Sequence, residues 1–205
     1  MYLGGLCLIT DRKTSHLSYE DMALGALKAG VRWIQYRDKE GSRGEIFRET
    51  LKLRSITRNF DALLIVNDYP DIALAADADG VHLGQDDLPL KEARAIMGKD
   101  KVIGISTHTL EQAVDAGRSG ADYIGFGPIF RTATKDAGRP KGISLLHEIK
   151  SEVNIPIVAI GGIAINNVSA VIEAGADAVA VASAILRGDI KENVKRFLKI
   201  LRSCS

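Results

Sequence analysis

The sequence predicts an α/β protein, a (β/α)8 TIM barrel that forms a single domain over residues 1–205. Eight short apolar segments alternate with eight longer amphipathic segments along the chain. A glycine-containing connector recurs between a predicted helix and the next predicted strand. No linker, low-complexity segment or change in composition divides the chain. Eight strand–helix units in roughly 200 residues are a compact form of this fold.

The predicted strands are brief, nearly all apolar, and bounded by Gly, Asp, Pro or Ser. A parallel sheet that is covered on both faces requires continuous apolar strands, whereas strict alternation would indicate an antiparallel sheet with one wet face. The predicted strands are residues 6–10, 33–37, 63–67, 80–83, 102–106, 123–127, 157–160 and 178–181.

The segments between them have helical periodicity, and some carry helix start signals. Ser18 precedes Glu20 and Asp21, and acidic residues favour a helix N-terminus. Pro89 suits a first helical turn. The predicted helices are residues 18–29, 42–59, 70–76, 89–97, 110–119, 143–152, 166–174 and 191–202.

Connectors with the pattern Gly-hydrophobic-polar link three of these helices to the next strand, at Gly30, Gly120 and Gly175. Glycine there takes the left-handed conformation that closes the last helical turn. In a barrel these connectors lie at the bottom face and serve stability. The rival fold, an open doubly wound sheet, would need a Gly-rich fingerprint after the first strand, and residues 10–13 do not provide one.

Composition limits the class of partner. The net charge of +1 gives no overall field that would attract nucleic acid or an acidic membrane, so we expect small-molecule partners. Cys7 and Cys204, the only two cysteines, stand near opposite ends of the chain, which argues against a disulfide framework and favours the cytoplasm. No apolar run approaches the ~20 residues of a membrane span. A homo-oligomer is compatible with the sequence but is not specified by it.

Active sites of such barrels lie at the carboxyl ends of the strands, so candidate site residues are expected there. After strand 2, alternation directs Gln35, Arg37 and Lys39 to the same side. Three long donors on one side can converge on a phosphate, and Arg37 can bind it bidentately. The alternative is a solvated charged loop.

Two further strand ends carry acidic residues. Strand 3 ends at Asn67 and Asp68, and strand 4 is followed by Asp86 and Asp87. Carboxylates from neighbouring strand ends can share Mg²⁺, which binds through one or two carboxylates plus substrate phosphates. The alternative for Asp68 is a helix N-cap. The residues alone do not decide between Asp86 and Asp87.

Strand 5 ends with Ser106, Thr107 and His108, which either bind a phosphate or heterocycle or cap the following helix. His108 is a candidate for proton transfer. His82 and His147 are interpreted as structural, and Tyr36 as packing.

The loop after strand 6 is the most informative segment of the chain. It offers the hydroxyls of Thr132 and Thr134 and the cations Arg131 and Lys135 within one short loop. The loops after strands 7 and 8 of such barrels often form a monophosphate site, here at Gly161, Gly162, Ala182 and Ser183. The strand ends together predict two anion sites, one for a monophosphate and one with metal-binding acids.

In their order along the chain, these segments resemble the thiamin-phosphate synthase (thiamin-phosphate pyrophosphorylase) family, and the likeness covers essentially the whole chain. Any one motif would be weak, but their joint occurrence is specific. The matching motifs are Gln35-Tyr-Arg-Asp-Lys39, Val66-Asn-Asp68, Gly80-Val-His-Leu-Gly-Gln-Asp-Asp87, Ile103-Gly-Ile-Ser106, Gly127-Pro-Ile-Phe-Arg-Thr-Ala-Thr-Lys135 and Ile160-Gly-Gly-Ile163.

The resemblance implies a transferase that couples 4-amino-2-methylpyrimidine-5-methyl diphosphate to 4-methyl-5-(2-phosphoethyl)thiazole, giving thiamin phosphate and pyrophosphate. It implies Mg²⁺ as cofactor, held by Asp68 and Asp87, and so favours Asp87 over Asp86. It assigns the pyrimidine diphosphate to Gln35, Tyr36, Arg37, Asp38, Lys39, Asn67, Ser106 and Lys135, and the thiazole phosphate to Thr132, Ala133, Thr134, Gly162, Ala182 and Ser183. Among these, Arg37, Lys39, Ser106 and Lys135 are expected to act in catalysis.

Small departures from the family pattern leave these ligands in place. Tyr36 and Asp38 stand where Leu and Glu are common, and Arg131 stands where Pro is frequent. The rival functions are a thiazole tautomerase of the same barrel family, which would use a proton-transferring residue such as His108, and a phosphate-ligand binding protein without catalysis. Neither has a use for a pair of metal-binding acids.

Overall fold

Eight strands follow the predicted segments to within one residue at nearly every boundary. In the computed structural model, which describes residues 3–132 and 138–204, they are β1 (Gly5–Ile9), β2 (Trp33–Tyr36), β3 (Leu63–Asn67), β4 (Gly80–Leu83), β5 (Val102–Thr107), β6 (Tyr123–Phe126), β7 (Ile157–Ile160) and β8 (Ala178–Val181).

The helices alternate with the strands, and within the described ranges there is one more than predicted. They are α1 (Tyr19–Ala29), α2 (Arg43–Arg58), α3 (Pro70–Ala75), α4 (Leu90–Met97), α5 (Leu110–Arg118), α6 (Gly142–Glu152), α7 (Val168–Glu173), α8 (Ser183–Leu186) and α9 (Ile190–Ser203). The sequence does not predict α8, because four residues are too few for helical periodicity to be recognised.

The strands form a closed parallel barrel in the order β1 to β8, with β8 paired to β1. The (β/α)8 barrel fold is therefore confirmed. The register sets His82 of β4 opposite Gly104 of β5, and Gly104 opposite Tyr123 of β6. Ser106 of β5 lies opposite Gly125 of β6. These pairings decide which side chains meet inside the barrel.

Apolar side chains fill both the barrel interior and the layer between sheet and helices. Cys7, Trp33, Ile65 and Tyr123 belong to the interior cluster, and a larger cluster packs the outer strand faces against the helices. Burial on both faces explains why the strands are continuously apolar.

The glycine connectors lie at the bottom of the barrel, as predicted. Their aspartates accept hydrogen bonds from the backbone of neighbouring strands. The Asp122 carboxylate accepts a hydrogen bond from the Ile103 N–H (2.7 Å) and forms an ion pair with Arg94. Asp177 similarly accepts from the Ile157 N–H (2.8 Å). Gly175 has a φ of 104°, a conformation that favours glycine. These contacts support a structural role for the bottom face.

The predicted start of α1 is confirmed, because the Ser18 side chain accepts a hydrogen bond from the Asp21 N–H at 3.0 Å. Over the described residues, we found no helix with the length and apolarity that crossing a membrane would require.

Candidate active site

A cavity opens at the mouth of the barrel, where the loops after the strands converge. It takes residues from the ends of β1, β2, β5, β6, β7 and β8. Six of the predicted site residues line it together: Arg37, Ser106, Thr132, Gly162, Ala182 and Ser183. Residues that are far apart in the chain are therefore brought to one site, as the strand-end argument requires.

Arg37 reaches this cavity from the residue directly after β2. Its backbone N–H donates a hydrogen bond to the Thr10 hydroxyl at 3.1 Å, which ties the ends of β1 and β2 together. Gln35 lies deeper: it is buried and lines a small interior cavity with His82 and Tyr123. Alternation directs both side chains inward, but only Arg37 lies at the mouth cavity.

Tyr36 and Asp38 are directed away from the mouth cavity. The Tyr36 ring packs edge-on against Tyr19 of α1, with the ring centroids 4.9 Å apart. The Asp38 carboxylate accepts hydrogen bonds from the N–H groups of Glu40 and Gly41, each at 2.9 Å. Both side chains line a separate cavity between α1 and α2. Side chains of consecutive residues in an extended segment point to opposite sides, so Tyr36 and Asp38 point away from the side that Arg37 faces. Only their backbone groups remain for a ligand at the mouth.

Lys39, Asn67 and Asp68 form one cluster at the ends of β2 and β3. The Lys39 ammonium group forms an ion pair with the Asp68 carboxylate, and the Asn67 amide donates to the other carboxylate oxygen. The alternative in which Asp68 caps α3 is wrong. The N-cap of α3 is Tyr69, without a side-chain hydrogen bond.

Asp68 also has an uncommon backbone conformation, with a φ of 71°. Its N–H donates to the carbonyl oxygen of His82 at 2.9 Å, which attaches the end of β3 to β4. Left-handed non-glycine residues are uncommon, and they occur often at functional sites.

The carboxyl groups of Asp68 and Asp87 contact each other across the ends of β3 and β4. Burial raises the pKa of Asp68; the Lys39 hydrogen bond opposes this rise, and the neighbouring Asp87 carboxyl adds to it. Asp87 also accepts a hydrogen bond from the Gly84 N–H at 2.6 Å. Asp86 is exposed, so the geometry favours Asp87 as the partner of Asp68.

Two adjacent carboxylates are a chemically suitable donor set for Mg²⁺, because hard oxygen ligands and negative charge are what this ion prefers. Their mutual repulsion is a cost that a bound cation would remove. Among residues 3–132 and 138–204, no group of three or more His, Cys, Asp or Glu side chains is arranged to hold a metal. If the described residues supply only Asp68 and Asp87, water or substrate oxygens would complete the coordination of the metal.

The Ser106 hydroxyl lies at the mouth cavity and contacts a histidine from the adjacent strand. His82 Nε2 is 2.8 Å from Ser106 Oγ, and His82 Nδ1 is 2.9 Å from the Tyr123 hydroxyl. The sequence interpretation of His82 as structural missed its contact with a predicted site residue. The only signal was its position one residue before the end of a strand.

His108 lines the same cavity from the loop after β5. Its Nδ1 lies 2.6 Å from the Gly127 carbonyl oxygen, so Nδ1 carries the proton and Nε2 is left for a ligand. The capping alternative for residues 106–108 is wrong, because the side chain that caps α5 is Thr109, which accepts from the Gln112 N–H at 3.2 Å.

Glycines shape the wall between the loops after β6 and β7. Gly161 and Gly162 have φ values of 94° and 66°. A Cβ atom on Gly162 would come within 2.6 Å of the Arg131 carbonyl oxygen. The loop that carries Thr132 therefore approaches the loop after β7 at a distance that only glycine permits.

Three predicted ligands, Ala133, Thr134 and Lys135, lie outside the described residues. Conversely, the structure adds Asp11 to the cavity wall, which the sequence analysis did not propose. Asp11 is buried and accepts hydrogen bonds from the Lys13 N–H (3.0 Å) and the Thr14 hydroxyl (2.7 Å). Its position two residues after the end of β1 was the available signal.

The fold and the cavity together define a (β/α)8-barrel enzyme whose site is assembled from the loops at the carboxyl ends of the strands. Fold alone does not assign a reaction, since this barrel supports many. Comparison with known proteins narrows the class.

A family model described as "Thiamine monophosphate synthase" matches residues 6–185. A thiamine-phosphate synthase of Halalkalibacterium halodurans is 48% identical over 178 residues, covering 86% of this chain and 84% of the relative. One from Clostridium acetobutylicum is 44% identical, covering 98% and 96%. The solved thiamine phosphate pyrophosphorylase from Pyrococcus furiosus superposes with a TM-score of 0.91 at 38% identity, covering 98% and 96%.

The chain belongs to the thiamine monophosphate synthase family. It is accordingly an enzyme of the transferase class. The resemblance noted from the sequence motifs is confirmed.

Proposed function

We propose that this enzyme couples 4-amino-2-methylpyrimidine-5-methyl diphosphate to 4-methyl-5-(2-phosphoethyl)thiazole, releasing pyrophosphate and thiamin phosphate. The observation that carries the proposal is that Arg37, Ser106, Thr132 and Gly162 line one cavity, although they come from the ends of four different strands. Family membership supports the same reaction.

The pyrimidine diphosphate would lie toward β2, β3 and β5. Arg37 is suited to a diphosphate because its planar guanidinium donates two parallel hydrogen bonds. Lys39 and Lys135 would add positive charge, and Asn67 and Ser106 would add polar contacts. The buried Gln35 side chain would have to act from below the cavity, and Tyr36 and Asp38 would act through their backbone.

Asp68 and Asp87 would hold Mg²⁺, with phosphate oxygens of the substrate completing its coordination. Bound there, the ion would offset the negative charge of the departing diphosphate. In the structure the Lys39 ammonium group neutralises part of the Asp68 charge.

The thiazole phosphate would lie toward β7 and β8, against Thr132, Ala133, Thr134, Gly162, Ala182 and Ser183. Gly162 permits close approach of backbone N–H groups to an anion. Ala182 and Ser183 line the same cavity as Thr132.

The reaction would be dissociative. The C–O bond to the diphosphate breaks first, and its electron pair leaves with the diphosphate. The resulting pyrimidine-stabilised methylene cation is captured by the thiazole nitrogen, which forms the new C–N bond. No nucleophilic side chain is needed. Catalysis would consist of positioning and of stabilising the leaving group with Arg37, Lys39 and Lys135.

The test is direct: both substrates are incubated with enzyme and Mg²⁺, and pyrophosphate and thiamin phosphate are measured. Formation of both products in equal amounts, with none when either substrate is omitted, is expected. Turnover of a thiazole carboxylate phosphate without the diphosphate would instead indicate the tautomerase. Full activity in excess chelator would refute the metal assignment.

A further inference from the structure

A chain of buried polar side chains ends at the Ser106 hydroxyl. Tyr123, on the inner face of β6, contacts His82 Nδ1 at 2.9 Å, and His82 Nε2 contacts Ser106 Oγ at 2.8 Å. Tyr123 is 1% exposed and His82 8%. Both ring nitrogens of His82 are therefore within hydrogen-bonding distance of a hydroxyl, and in a neutral imidazole one nitrogen must donate and the other accept.

The surroundings of Tyr123 indicate which groups donate and which accept in these hydrogen bonds. Burial raises the pKa of Tyr123 far above its ordinary range, so the hydroxyl keeps its proton. The Gln35 side chain hydrogen-bonds the same oxygen and opposes this rise, which is the effect of a donor. With Gln35 donating to that oxygen, the Tyr123 proton is directed to His82 Nδ1. Nε2 then carries the ring proton and donates it to Ser106.

Two glycines leave the space that these rings occupy. A Cβ atom on Gly104 would lie 2.0 Å from the Tyr123 ring, and one on Gly125 would lie 2.8 Å from His82 Cε1. Both glycines lie within strands, where glycine weakens the strand unless another group needs its space. The barrel interior is therefore built around the Tyr123–His82–Ser106 arrangement.

We propose that His82 is a positioning residue that holds the Ser106 hydroxyl as a hydrogen-bond donor toward the pyrimidine diphosphate. Because His82 donates to the Ser106 oxygen, the serine proton is available to the cavity. Pyrimidine ring nitrogens and diphosphate oxygens are acceptors, so a serine fixed as a donor fits them. This inference deepens the proposed function and rests on it for the identity of the ligand.

The first test compares Asn and Gln at position 82 with the wild-type enzyme. His82→Asn retains a polar group near the Nδ1 position but withdraws it from Ser106, whereas His82→Gln retains one near Nε2. We expect His82→Asn to lower kcat/KM for the pyrimidine diphosphate about three- to tenfold, the range of one hydrogen bond, and His82→Gln to lower it less. Equal loss in both variants would contradict the role assigned to Nε2.

A double-mutant cycle separates positioning from a general structural effect. If His82 acts through the serine hydroxyl, His82→Asn causes no further loss of kcat/KM in a Ser106→Ala enzyme. Multiplicative losses in the double variant would overturn the proposal. Tyr123→Phe, which removes only a hydroxyl, replaces His82→Asn in the cycle if the latter variant does not fold.

Thr107→Val is the matched structural control. Thr107 neighbours Ser106 on β5 but is fully buried and is not among the residues that line the mouth cavity, so it does not bind the ligand there. It donates its hydroxyl to the Gly125 carbonyl oxygen at 3.4 Å. We expect this variant to lower the melting temperature while kcat/KM stays near the wild-type value. A comparable loss of kcat/KM would assign the His82 effect to loosening of β5 instead.

A second readout does not depend on activity. In the ¹⁵N NMR spectrum of the wild-type protein, His82 is expected to have an unprotonated Nδ1 and a protonated Nε2, its signals being assigned by their loss in His82→Asn. The opposite tautomer would make Ser106 the donor to His82 and overturn the proposal. If wild-type enzyme forms no thiamin phosphate, the proposed function fails, and this spectrum still decides the direction of the hydrogen bonds.

Discussion

The Lys39 ammonium group and the Asp68 carboxylate form an ion pair that joins the loops after β2 and β3. A divalent cation at Asp68 would compete with Lys39 for the same oxygen. Metal binding would therefore release a cation that the incoming diphosphate can use. This ion pair links the carboxylates proposed to bind Mg²⁺ with a cation proposed to bind the diphosphate.

Asp87→Asn should weaken activation by Mg²⁺ at least about tenfold, because Asp87 is the carboxylate in contact with Asp68. The measurement is the dependence of initial rate on Mg²⁺ concentration. Asp86→Asn is the matched control, since it removes the same charge from an exposed neighbour. Similar Mg²⁺ curves for the two variants would contradict the assignment to Asp87.

Asp38→Asn should affect stability more than kcat/KM, because its side chain is directed toward α1 and α2. Burial favours a higher pKa, but hydrogen bonds from the N–H groups of Glu40 and Gly41 lower the pKa of Asp38 on balance. A carboxyl group whose pKa is lowered by folding stabilises the folded state at pH values above its ordinary pKa of 3.8. This contribution is lost as the pH falls through the pKa of the group in the folded protein.

We therefore expect Asp38→Asn to lower the free energy of unfolding at pH 7, with the difference from wild type shrinking as the pH falls below about 4. Urea denaturation over a pH series measures this, and kcat/KM is determined in parallel. A large loss of kcat/KM at unchanged stability would instead place the Asp38 carboxylate in contact with substrate.

Lys135→Ala should lower kcat on the order of 10²-fold with little change in melting temperature, since it would remove one charged contact that the proposed mechanism makes to the leaving group. Residue 135 lies outside the described residues, so this expectation follows from the sequence motif. Arg139→Ala removes a nearby exposed cation and serves as the control. Wild-type turnover by Lys135→Ala would remove Lys135 from the mechanism.

Gly162→Ala should raise KM for the thiazole phosphate, because a Cβ there would collide with the Arg131 carbonyl oxygen and displace the loop of Thr132. Gly188→Ala is the control: it has a similar φ of 81°, with nothing within 4 Å of the added Cβ. Both should lose about 1 kcal/mol or more of stability through backbone strain. If KM changes equally in both variants, strain rather than the collision is responsible.

Local pattern alone was enough to predict the barrel and much of its mouth. Strands buried on both faces must be continuously apolar, so segments such as 63–67 and 178–181 were found with their observed bounds. Because parallel strands align their carboxyl ends, polar residues at or just beyond those ends, such as Ser106 and Arg37, were expected at one cavity and lie there.

Only the tertiary structure decided how side chains meet across strands. Nothing near His82 in the chain indicates Tyr123 or Ser106 as its neighbours, because their contact depends on the register of β4, β5 and β6 and on space left by Gly104 and Gly125. Likewise, the residue type of Asp68 does not reveal its left-handed backbone or its contact with Asp87 from the neighbouring strand, because both arise only in the folded chain.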